Sequence, residues 1–161
     1  MSLFQTVKSI IEQHQNQDVS QILEHVHNTV AVDIEQDIQP EFNGIAQFYN
    51  SRFPSDDGSH VETYMLASAL EVLKSDTGAP MSEKLNIAKA TLNSHIKDIL
   101  SVIEYLKHHP EVDSELSASE NARQHELHIH TLNKAWTMLD KAYDRLNTVN
   151  WVVNSSLAIT K

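Results

Sequence analysis

The sequence predicts an all-α protein, an elongated up-down helical bundle of about four to six helices. Two of these are long, over about 82–107 and 117–153. Three observations point to this class. Apolar residues recur at steps of three and four through most of the chain. The three Gly and four Pro cluster as punctuation: Pro40 with Gly44, Pro54 with Gly58, Gly78 with Pro80, then Pro110. No alternating apolar run is long enough to build a sheet. At 161 residues the chain suits a single domain, 1–161, able to bury roughly 70% of the surface of its unfolded form.

The first stretch, about 3–16, sets Leu3, Val7, Ile10 and Ile11 at helical spacing. Asp18 with Gln21 resembles a capping box and opens a second helix with the apolar face Val19, Ile22, Leu23, Val26 and Val30. Continued at 100° per residue, this helix would carry Asp33 and Asp37 onto that face, where a carboxylate is costly unless it meets a histidine or a cation. The β-branched residues around Ala31 and the approach of Pro40 favour unwinding near Val30. Asp33 and Asp37 would then join Glu35 and Glu41 as a solvated acidic patch. A short helix follows over about 41–51, with Phe42, Ile45, Ala46 and Tyr49.

Ser59-His60-Val61-Glu62 is a capping box and predicts a helix to about Lys74. Ser82 is expected to cap the long helix whose inward row is Leu85, Ala88, Leu92, Ile96, Ile99, Ile103 and Leu106. Lys107, His108 and His109 suit its negative pole, and Pro110 stops it. Ser117 with Glu120 opens the last helix. Its heptad seam runs Ala118, Ala122, His125, Ile129, Leu132, Trp136, Leu139, Tyr143, Leu146, Asn150 and Val153, as in a coiled coil. About 36 residues span roughly 54 Å, against about 39 Å for the 82–107 helix. Some 15 Å of seam therefore needs cover, from the N-terminal helices or from a second protein chain.

Composition excludes much chemistry. With no Cys, disulfide frameworks and thiol catalysis are ruled out. Three isolated Gly cannot build a phosphate loop, and no Gly-x-Ser-x-Gly elbow occurs. The formal charge of −10 argues against nucleic acid and anionic membranes. The excess is concentrated in residues 1–58, where nine acids face two bases, so a basic partner would be drawn there. The absence of a secretory signal and of a spanning apolar run points to a cytoplasmic protein. Ten His would bring the charge from −10 to 0 on full protonation, so association should change on mild acidification.

The candidate metal ligands are His95 and His125, on the inward rows of the two long helices, with His128 one turn from His125 and Asp33 as carboxylate. The ordinary alternative is that each His is a satisfied core residue. Glu24-His25-Val26-His27 supplies one Glu-x-x-His where a di-iron bundle needs two. His125-Glu126-Leu127-His128-Ile129 misses the zinc-protease motif by one residue. The candidate partner-binding residues are Trp151 and Val152 near the end of the last helix, Asn150 on its seam, and Asp33 and Asp37. No cofactor is expected. The leading functional reading is a non-enzymatic protein-interaction module (an adaptor, chaperone, immunity or regulatory protein) binding another protein or itself. A metal-binding bundle is the alternative, and a helical ligand-binding domain the third reading.

Overall fold

A computed structural model describes residues 3–13, 19–53, 60–74 and 81–160. They form six helices: α1 (Leu3–Gln13), α2 (Val19–Asp37), α3 (Gln39–Arg52), α4 (Tyr64–Lys74), α5 (Met81–His108) and α6 (Ala118–Thr160). The expected all-α, up-down bundle is what the chain forms. The caps expected at Asp18 and Ser59, and the Ser82 side chain, lie outside what is described.

The last helix is the spine. It runs unbroken for 43 residues, about 64 Å. Ser117 caps it as expected, its Oγ accepting the Glu120 N–H at 3.2 Å. Helix α5 returns antiparallel along it: Lys89 sits over the Tyr143 ring, while Leu106 reaches the level of His125. Leu85, Ala88, Leu92, Ile99 and Leu106 point inward from α5, as the spacing predicts.

The second long companion of α6 is assembled from two helices. The expected unwinding near Val30 does not occur, and α2 continues to Asp37. Backbone bonding passes through the junction with α3, for Ile38 N–H donates to Ile34 O at 2.9 Å and Phe42 N–H to Ile38 O at 3.0 Å. Pro40, in the first turn of α3, has no N–H to give, so it falls at the junction without cutting the rod. The reason is burial. Val30, Ala31, Ile34, Ile38, Phe42 and Ala46 are all fully buried. Burying one such large side chain stabilises by about 1.5–3 kcal/mol, whereas a β-branched residue costs a helix only about 0.7 kcal/mol or less.

The α2–α3 rod lies antiparallel along α6. Phe53 stacks on His128, Ile45 and Thr137 line one shallow hollow, and Asp33 and Asp37 meet Arg145. Helix α1 packs on α6 and α2, and α4 fills between α2 and α5. Thus α1, α2, α3 and α5 all pack along the seam that exceeds the span of α5. Helix α4 begins later than its expected capping box. Residues 60–63 form a bend and turn, with Val61 buried and its carbonyl accepting a bond from Asn50 Nδ2 at 3.2 Å.

The buried row of α6 is a heptad, but in a phase different from the expected one. It runs His128, Leu132, Ala135, Leu139, Ala142, Leu146 and Val149. Leu132, Leu139 and Leu146 belong to both rows. Between them the structure turns Ala135 and Ala142 inward in place of Trp136 and Tyr143, which flank the core half-buried with Ile129 and Met138. Small residues at alternate seam positions let α6 approach its neighbours closely, and the large aromatics cover the joint from the side. Ala118 and Ala122 are exposed.

Candidate functional site

The hairpin end of α5 and α6 meets the C-terminal end of α3, and an open polar cleft of about 620 Å³ lies between them. Tyr49, Arg52 and Phe53 of α3 form one wall. Gln124, His125 and His128 of α6 form the opposite one. Leu106, His60 and the 111–116 segment close the remaining sides.

The segment between α5 and α6 is built rather than slack. Lys107-His108-His109-Pro110 ends α5, with Glu104 holding His108 at 3.1 Å and the His109 ring stacked on Tyr105. Asn121 then clasps Asp113 from both sides: its Oδ1 accepts the Asp113 N–H at 2.9 Å, and its Nδ2 donates to the Asp113 carbonyl at 3.1 Å. Asp113 Oδ1 in turn accepts the Glu115 N–H at 2.9 Å, an Asx turn that leads into the Ser117 cap. These bonds fix Glu111 and Val112 against the cleft. Val112, 76% exposed, is an apolar residue at its lip.

His128 forms the floor. It is only 9% exposed, its ring lies flat on Phe53 at 4.3 Å, and its Nε2 is 2.8 Å from the Tyr49 hydroxyl. Burial pushes the His128 pKa down. The Glu111 charge opposes that shift, and His60 and His125 add to it. The imidazole is therefore held neutral at pH 7. Burial pushes the Tyr49 phenol well above its usual range, assisted by Glu111, so the hydroxyl keeps its proton. Arg52 and Glu111 make no hydrogen bond or ion pair among the described residues. No Ser, Thr or Cys is found among the described residues lining the cleft.

The structure brings His125 and His128 to this cleft and leaves the other metal candidates elsewhere. His95 lies edge-on to Tyr64, with ring centroids 5.9 Å apart. In the antiparallel α5–α6 register, Leu106 rather than His95 sits at the level of His125, and eleven helical residues are about 16 Å. Asp33 is engaged by Arg145 Nη1 at 2.7 Å, and Arg145 Nη2 holds Asp37, whose carboxyl is thereby kept below its usual pKa. Among the described residues no group of three or more His, Asp or Glu is placed to hold a metal.

The partner candidates are scattered likewise. Trp151 is 63% exposed, Asn150 is half-buried, and the Val152 side chain lies outside what is described. Asp33 and Asp37 share the cation Arg145, and Glu35 pairs with Lys74, so three of the nine N-terminal acids are engaged in ion pairs within the bundle. Of the expected patch, Asp33, Glu35 and Asp37 thus become helix-to-helix ties, while Glu41 is exposed. The residues that build the cleft beside His125 and His128 were not read from the sequence as a site. Tyr49 and Phe53, four apart at a helix end, read as apolar face and loop, and His60 as part of a capping box. The weak signal was three His and two aromatics at the ends of segments, which only the chain's return brings together.

No protein-family model, curated protein or solved structure matches this chain. Its six helices and its cleft therefore have to be interpreted on their own chemistry. Among the described residues, no helix is long and apolar enough to cross a membrane.

Proposed function

We propose that this chain is a non-enzymatic protein-interaction module whose partner engages the cleft at the α5–α6 hairpin. The observation that carries the reading is the cleft itself. It is about 620 Å³ of open space between helix ends, with a buried imidazole as floor, a cation and a carboxylate unpaired among the described residues in its walls, and Val112 at its lip. Such a volume holds a drug-sized ligand or a few residues of a peptide. The exposed Val112 beside polar lining residues suits a partner segment that anchors at Val112 and is read inside. The described lining holds an oriented His but no Ser, Thr or Cys for it to activate, and the Tyr49 hydroxyl beside it keeps its proton, which favours binding over catalysis. The seam of α6 is a poorer docking edge, because four helices already lie on it.

A photo-crosslinking residue in place of Val112, used in the native cells, tests this. The expected result is a discrete heavier adduct that disappears when Gln124→Trp fills the cleft. An adduct pattern unchanged by Gln124→Trp would overturn the reading. An adduct of twice the chain's mass would identify the partner as a second copy.

A further inference from the structure

The floor of the cleft has a feature that selects its ligand. His128 is buried, and Tyr49 is its hydrogen-bonding partner among the described residues. Tyr49 is 1% exposed, and its hydroxyl has no other acceptor among the described residues. A buried phenol must place its proton, and the lone pair of His128 Nε2, 2.8 Å away, is where it goes. That bond fixes the neutral imidazole as the Nδ1–H tautomer. The second ring nitrogen is thus a donor with no acceptor among the described residues. It is not fully buried, and His128 lines the cleft.

We infer that the cleft binds a carboxylate flanked by an N–H group, the chemistry of a free α-amino acid or of a peptide's C-terminus. One carboxylate oxygen takes the His128 Nδ1–H and the other takes the Arg52 guanidinium, unpaired among the described residues, a charge-assisted pairing that suits a planar anion. Glu111, likewise unpaired among the described residues, accepts from the ligand's adjacent amide N–H or ammonium. A bare anion would be repelled by Glu111, and a bare cation by Arg52. A group that offers an acceptor and a donor side by side satisfies both. The size of the cleft favours the peptide, since it leaves room for residues preceding the terminus. The inference rests on the proposed function only in taking this cleft as the binding site.

Side-chain 1H–15N spectra of the imidazole and guanidinium groups test it, with three probes: trialanine, trialanine amide and free alanine. In the free protein His128 should show the Nδ1–H tautomer. Millimolar trialanine should shift His128 Nδ1 and Arg52 Nε, while the amide should not. Arg52→Gln, at an exposed helix end, should weaken trialanine binding about 10- to 100-fold without altering the fold. If free alanine matches trialanine, the carboxylate site stands and its ligand is the free amino acid rather than the peptide terminus. An Nε2–H tautomer overturns the inference, as do equal shifts from trialanine and its amide, or no shift from any probe. The protein-partner reading is judged separately, by the effect of Gln124→Trp on the Val112 adduct.

Discussion

Replacing the Tyr49 hydroxyl with hydrogen leaves His128 Nε2 facing a packed helix end with no partner. An orphaned buried polar atom costs about 1–3 kcal/mol, so Tyr49→Phe should lower the free energy of unfolding in urea by that amount, while Tyr64→Phe, at an exposed residue, should be near neutral. His128 also ties stability to pH. Its folded pKa lies below the ordinary imidazole value because burial disfavours the charged ring. The unfolded chain therefore takes up a proton that the folded one declines. The stability is complete above about pH 7.5 and declines as pH falls through about 6.5. Urea denaturation between about pH 7.5 and 5.5 should show that decline, and His128→Gln should flatten it; an equal slope in both proteins would remove His128 as the cause. At this scale the sequence was half legible. His128 stood out as an imidazole beside the seam, but its partners lie 79 and 75 positions away, in a segment whose aromatics read as ordinary core.

The pairing of α6 with its neighbours shows where periodicity stops being informative. Trp136 and Tyr143 sit at seam spacing and carry more apolar surface than Ala135 and Ala142, so a reading by hydrophobicity picks the aromatics. Three-dimensional packing picks the alanines, because a helix gripped on several sides gains more from close approach than from one large buried ring. Ala142→Leu should accordingly overpack the joint and cost about 1–3 kcal/mol, while Tyr143→Leu should cost less. Chemical denaturation of the two variants decides the phase, and the opposite order would restore the aromatic seam. Asp33 was legible as a carboxylate that would need a cation if the helix continued. That Arg145 supplies it was not, since the ion pair bridges 112 positions. Both ends are partly exposed, at 23% and 33%, so a double-mutant cycle on Arg145 and Asp33 should give a coupling of about 1 kcal/mol or less, weakened by salt. A coupling indifferent to salt would contradict the partly solvated geometry.

The molecule as a whole is set by one length. Its bundle class and both long helices were legible because capping residues and Pro110 mark their ends and an apolar face runs throughout. The α2–α3 rod was not, because Pro40 reads as a break. Whether the helix resumes on the same axis depends on the buried run from Val30 to Ala46 against α6. With that rod in place, α6 is packed by α1, α2, α3 and α5, and the bundle is held extended. A compact chain of 161 residues would have a radius of gyration of about 15 Å. A bundle as long as its 43-residue spine should have about 20 Å, with a maximum dimension near the roughly 64 Å of α6. Small-angle scattering on a dilute monomer measures both. A radius near the compact value would mean that α6 folds back on itself in solution, which would also dismantle the hairpin end where Tyr49, His128 and the 111–116 segment form the cleft.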